Sequence, residues 1–177
     1  PSDIDDFYNF KALHSAGLDG TGVTVLFPDS APDSSDLNAY SQKFSLPPMN
    51  VTVVGDSSAP DKTQTAYQEV TQDLDIVHAL APQAKLIVYN TVDQSKFQGE
   101  SDIVQGLIRL NSDMVNDHKG DVVSESLGWC AASFDSASAQ QLDQVLKQGA
   151  SEGMTFLVSS GDEGGYGCTR EDADQHR

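Results

Sequence analysis

Basic side chains are scarce here: ten lysines and arginines stand against twenty-seven aspartates and glutamates in 177 residues, a formal charge of −17 at neutral pH. Nucleic acid and anionic membrane surfaces are thereby excluded as natural partners. Long apolar runs are missing as well, so no segment reaches transmembrane length. The first residues show no charged-then-apolar leader; an exported form is expected to have shed its signal and any pro-segment. Cysteine is nearly absent. Cys130 and Cys168 are the only two, and they fit either buried thiols or a disulfide. Internal repeats and low-complexity tracts are lacking, which leaves one domain with a substantial core over residues 1–177.

What is abundant is acid, and its excess implies strong self-repulsion at neutral pH that protonation relieves. An acidic working environment is one reading of this excess, and a merely soluble acidic protein is the other. The most informative acids lie in the stretch from Tyr67 to Pro82, which reads as one helix. Thr65 and Gln68 have the spacing of a capping box, and Pro82 supplies a stop. A helical projection gathers Val70, Leu74, Ile76, Val77, Leu80 and Ala81 on one apolar arc, with Glu69 and Asp73 inside it. Thr71, Gln72, Asp75 and His78 take the opposite, polar side. Two carboxylates at i and i+4 on an apolar face repel each other and resist desolvation. At least one pKa therefore rises, and the pair can hold and pass a proton in mild acid. The plainer alternative, acids that complement the helix dipole, predicts the solvated face instead.

Around this helix, strand and helix alternate. A weakly helical segment (3–16) ends at Gly17, and Gly20-Thr21-Gly22 turns the chain into the apolar run Val23–Phe27, typical of a strand buried on both faces. Pro28–Asp36 forms a loop at the carboxyl end of that strand, where open α/β sheets place their sites. Its acids, Asp29, Asp33 and Asp36, fit turn formers most readily, with calcium ligation or phosphate acceptance as alternatives. A helix at 36–44 and strands at 51–54, 85–89, 121–124 and 154–158 follow, with helices at 101–117 and 136–152. The spacing suits right-handed parallel crossovers and predicts an α/β fold built on a doubly wound parallel sheet. Asn50-Val51-Thr52 is a glycosylation sequon, a pattern frequent by chance.

Three segments, in order, resemble one family. Glu69-Val70-Thr71-Gln72-Asp73 with Leu80-Ala81-Pro82 is similar to the Glu-x-x-x-Asp helix of the sedolisins, the serine-carboxyl peptidases. Ser126-Leu127-Gly128-Trp129-Cys130 resembles their substrate-edge strand. Ser159-Ser160-Gly161-Asp162-Glu163-Gly164 resembles the loop with their oxyanion aspartate. The bacterial sedolisin type is the nearest in wording, and Gly20-Thr21-Gly22 with the strand ending at Asp29 fits the wider subtilisin-like fold. The resemblance implies that Glu69 is general base and acid for a serine, that Asp73 orients it, and that a protonated Asp162 donates to the oxyanion. It gives Asp29 and Trp129 supporting roles, and the backbone of Ser126, Leu127 and Gly128 the pairing with extended peptide or protein substrates. It further implies a Cys130–Cys168 disulfide and a secreted or acidic extracytoplasmic location. A carboxylate base suits acid, where an imidazole is already protonated.

The family's nucleophile lies in a Gly-Thr-Ser segment, which this chain lacks. The resemblance thus makes these residues the N-terminal part of the catalytic domain, with a C-terminal chain of the same precursor expected to bring the serine. The family's calcium loop belongs to that absent part too, so calcium is expected in the complete enzyme and no residue here is assigned to a metal. Asp75 is set aside as a catalytic candidate because residue 71 is a threonine and the interval to Pro82 is two residues short. Two other readings compete. One is a subtilisin-type Asp/His/Ser peptidase using Asp29 and His78, although His78 lacks Gly-Thr-His surroundings. The other is an inactive binding module of the same fold, holding a cation among Asp29, Asp33 and Asp36.

Overall fold

A computed structural model describes residues 1–93, 96–127 and 134–162. Five parallel strands form one sheet: β1 (Thr24–Phe27), β2 (Val51–Gly55), β3 (Lys85–Asn90), β4 (Val122–Glu125) and β5 (Thr155–Val158). Their spatial order is β2-β3-β1-β4-β5. Between them run α3 (Ser34–Lys43), α4 (Thr65–Leu80), α5 (Glu100–Asp117) and α6 (Ser136–Ser151), after two short helices, α1 (Ser2–Phe7) and α2 (Phe10–Ser15). The expected α/β fold is present, a parallel sheet with helices on both faces.

Alternation along the strands sorts the side chains into two cores. Val25 and Phe27 of β1 join Leu86 and Val88 of β3 against Leu37 of α3 and Val70 and Leu74 of α4. The intervening Leu26 and Tyr89 point the other way and meet Leu110, Met114 and Val115 of α5. Leu26, Leu86 and Val88 are no more than 1% exposed, and burying each such side chain stabilises the fold by about 1.5–3 kcal/mol. The central strands thus need apolar residues at every position, which is why they read as unbroken runs.

One connection departs from the expected handedness. The chain crosses from β1 to β2 by α3 and returns from β2 to β3 by α4, in opposite directions, yet both helices pack on the same face. They must therefore have opposite hands. The crossovers through α5 and α6 run the same way across the sheet as that of α4 but on the other face. Right-handed connections prevail in about 98% of cases, so the connection through α4 is the left-handed one. The helix singled out by its acid pair is the one whose connection breaks the rule.

Local details differ from expectation at the helix starts. Gln64, not Thr65, occupies the N-cap of α4, and no side chain bonds to its first amides, so the predicted capping box is not formed. Asp33 caps α3 by accepting from the Ser35 amide, starting that helix two residues earlier than predicted. The N-terminal helical segment breaks at Asn9, which adopts the left-handed conformation (φ 59°). Gly20 behaves as the turn requires: its φ is +89°, and a Cβ there would stand 2.9 Å from the Ala84 amide nitrogen. That close approach seats the entry to β1 on the chain leaving α4.

Candidate active site

Val70 and Leu74 are fully buried at the centre of the core face of α4. Asp73 lies about 60° and Glu69 about 100° to one side of Val70 at 3.6 residues per turn, and both are half-buried. They border the apolar arc rather than lie at its centre. Two other positions on α4 differ from expectation. His78, expected on a solvated face, is 1% exposed, while Ile76, expected in the core, is 36% exposed. The chain after α3 explains the rotation. It brings the Pro47 carbonyl within 2.8 Å of His78 Nε2. A carbonyl only accepts, so Nε2 carries the proton and His78 donates a structural hydrogen bond.

Beside the acid pair stands Asp29, just past the end of β1. Its Oδ1 accepts from the Ser30 amide at 2.6 Å. Burial pushes its carboxyl up to about 7, against that amide bond and with help from the Asp73 and Glu69 charges. Asp73 is raised as well, by burial first and then by Glu69, while a hydrogen bond from the Ser126 hydroxyl acts in the opposite sense. Three carboxyls from β1 and α4 thus converge with Ser126, which follows β4, the immediate neighbour of β1. Such a group holds fewer negative charges than carboxyls, which suits storage and transfer of a proton.

The backbone of the edge segment is available on one side. Pairing between β1 and β4 is confined to Val25↔Val122 and Leu26↔Val123, whereas β5 follows β4 as far as Glu125↔Val158. Ser126 and Leu127 continue past both ladders. Asp162 follows β5 on the same carboxyl edge, exposed, after Gly161 at φ +81°. Also on this edge, a cleft of ≈ 630 Å³ opens among Ser30, Gly55, Asn90 and the start of α4. Gly128, Trp129, Cys130 and Cys168 lie outside the described residues.

The other loop acids have ordinary partners. Lys62 bridges Asp33 (3.1 Å) and Asp36 (2.8 Å), and the Tyr67 hydroxyl also donates to Asp36. Ser35 and then Lys62 hold Asp33 down to about 2. These are capping and ion-pairing residues, and among the described residues no group of three or more His, Cys, Asp or Glu is gathered to hold a metal. Asp75 belongs with them by position: burial and the Asp36 charge raise it to about 6. No helix among the described residues is long and apolar enough to cross a membrane.

Two polar residues escaped the sequence reading. Glu125 is 4% and Asn111 1% exposed, and they are hydrogen-bonded across 3.2 Å between β4 and α5. Alternation along Val123, Glu125 and Leu127 puts Glu125 on a core-facing position, a signal that was there to use. The contact between the Ser126 hydroxyl and Asp73 had no such signal.

Comparisons with known proteins bear on the family and the fold. A model of the subtilase family matches residues 63–176. Sedolisin of Pseudomonas sp. (strain 101) is 28% identical over 173 residues, 95% of this chain and 28% of that protein. Kumamolisin of Bacillus sp. (strain MN-32) is 28% identical over 178 residues, covering 93% of this chain and 29% of that protein. Among solved structures, Pseudomonas sedolisin, described as a serine-carboxyl proteinase complexed with two molecules of pseudo-iodotyrostatin, superposes with a TM-score of 0.68 at 29% identity. That match covers 82% of this chain and 40% of the other. The chain therefore spans less than a third of the length of these curated relatives.

Proposed function

The chain belongs to the subtilase family, in its sedolisin branch, and from that we propose that it is the N-terminal part of an acid-acting serine-carboxyl endopeptidase. The convergence of Glu69, Asp73 and Asp29 at the carboxyl edge carries this reading. The serine Oγ attacks the scissile carbonyl carbon while its proton passes to the Glu69 carboxylate. Glu69 then returns that proton to the departing amide nitrogen, and water hydrolyses the acyl-enzyme by the same route. Asp73 orients Glu69. Asp162 donates its carboxylic proton in a hydrogen bond to the oxyanion. Asp29 and Trp129 support the carboxyl network, and extended substrate pairs along Ser126–Gly128 as an added strand.

The nucleophile is assigned to a C-terminal companion chain of the same precursor. What supports this is the lack of Gly-Thr-Ser here, together with the surface of β5, where Leu157 and Val158 are 59% and 53% exposed. Apolar side chains so placed at a sheet edge suit cover by further polypeptide. Calcium is assigned to that companion segment, the Cys130–Cys168 disulfide to this chain, and the assembled enzyme to an acidic extracytoplasmic setting. An intact mass of native material under denaturing, nonreducing conditions reads both the companion and the disulfide.

The decisive measurement is peptide hydrolysis by the complete protein from pH 3 to 7, with Glu69→Gln beside it. Activity is expected to peak in acid and to fall about 10³-fold in the variant, with its circular dichroism unchanged. Near-normal turnover by Glu69→Gln overturns the assignment.

A further inference from the structure

On the α5/α6 side of the edge segment, away from the acid pair, is a cavity of ≈ 210 Å³. Its walls are apolar: Leu107 of α5, Leu142 and Leu146 of α6, Leu127, Phe134 and Val158. Its polar lining is Glu125, Asn111 and Ser159. The two larger groups, both more than nine-tenths buried, have an arrangement that leaves something over. Asn111 Nδ2 donates to the Leu107 carbonyl at 3.2 Å and to Glu125 Oε2 at 3.2 Å. Both of its hydrogens are then used, and the amide cannot turn over without setting its oxygen against the Leu107 carbonyl. Asn111 Oδ1 is consequently buried with no hydrogen-bond partner. An acceptor left in that state is costly, and a guest that donates to it removes the cost.

We propose that this cavity is a specificity pocket in which Asn111 and Glu125 select a substrate side chain with an apolar body and a hydrogen-bond donor at its tip, tyrosine in preference to phenylalanine. The proposal rests on the peptidase reading, because its guest is a side chain of peptide paired along the edge segment. Leu127 lies on that segment and also lines the cavity, so strand and pocket share a wall. The volume suits one large side chain. The donor it takes is uncharged: burial raises the Glu125 carboxyl, only partly offset by the Asn111 amide, and none of the other lining side chains is titratable. In acid the polar lining is then neutral, and a lysine would have to leave water for apolar walls without a counter-charge. A phenol brings one hydroxyl to the waiting Oδ1 and leaves its ring to the leucines.

The test uses the complete peptidase and peptides that differ only by Tyr, Phe or Lys at each of the four positions before the scissile bond. At one position Tyr is expected to exceed Phe in kcat/KM by about fivefold. Glu125→Met, which leaves Asn111 bonded to Leu107, is expected to halve that preference or better. The double variant Glu125→Met, Asn111→Leu is expected to reverse it. Equilibrium binding of the same peptides is read by fluorescence polarisation. Turnover with equal Tyr and Phe rates at every position, a preference untouched by both variants, or a Lys peptide ahead of Tyr overturns the pocket and leaves the peptidase reading intact. A Tyr-over-Phe binding difference that the variants abolish, in a protein that cleaves none of the peptides, upholds the pocket and overturns the peptidase.

Discussion

On one flank of α4, Glu69 and Asp73 are gathered with Asp29 and Ser126; on the other, His78 and Asp75 belong with α3 and the loop that follows it. Both flanks carry half-buried carboxyls, and both contain a carboxyl raised by burial. What separates them is the company. Asp29 is raised by burial and further by two other acids at the carboxyl edge of the sheet, where strand ends leave backbone unpaired. On the second flank Asp33 and Asp36 have Lys62, Asp36 has Tyr67 as well, and His78 has the Pro47 carbonyl. An acid or base with a fixed partner is structural; acids that share protons beside an open edge are available for chemistry.

His78 gives the largest expected effect on stability. Replacing it with alanine removes a fully buried ring and its bond to Pro47, and is expected to cost about 2–4 kcal/mol. Denaturant unfolding measures this, and the surviving folded fraction should retain its peptide turnover. That outcome mirrors Glu69→Gln, which should spare stability and lose turnover. Were His78→Ala instead to keep stability and lose turnover at neutral pH, the two flanks would exchange roles and the Asp/His/Ser reading would gain.

The two flanks also differ in how legible they were. Glu69 and Asp73 follow from spacing alone, because an i, i+4 pair next to Val70 and Leu74 can only border the core. The strands were equally readable, since burial on both faces demands the runs Val23–Phe27 and Lys85–Tyr89. His78 was not. The same helical projection is satisfied by several rotations of the buried arc, and the one adopted depends on residues 44–50, a loop without periodic pattern. The left-handed connection through α4 was hidden for a related reason: handedness belongs to the order of strands, not to any local run. Thr65 was misread by one position because Gln64 and Thr65 are adjacent candidates for one cap, and neither side chain bonds to the helix amides.

Asp29 sharpens the comparison through pH. Its folded pKa of about 7 lies above an unfolded value of about 3.9, so the folded state holds the proton longer. Its contribution to stability is fully present below about pH 4 and is lost as pH rises through about 7. Burial is the main cause, and the Asp73 and Glu69 charges add to it. Asp29→Asn removes the titration and is expected to raise stability at pH 7 by about 2 kcal/mol relative to its effect at pH 3, after allowance for the remaining contact of Asp29 with water. Equal effects at the two pH values would mean that the Asp29 carboxyl is not raised on folding.

Asp75 supplies the smallest expected effect and the control for the whole comparison. Burial, then the Asp36 charge, raises it to about 6, and its Oδ1 is buried without a hydrogen-bond partner. The sign is the same as for Asp29: stability is present below about pH 4 and is lost as pH climbs through about 6. With a smaller shift and more water nearby, Asp75→Asn is expected to gain about 1 kcal/mol at pH 7 and little at pH 3. Because its neighbours are Asp36 and Tyr40 and not Glu69, peptide turnover and its pH profile should stay within about twofold of wild type. A shifted acid limb in the Asp75→Asn profile would couple the two flanks through the helix between them, and then residence on one side of α4 would no longer separate structural acids from reactive ones.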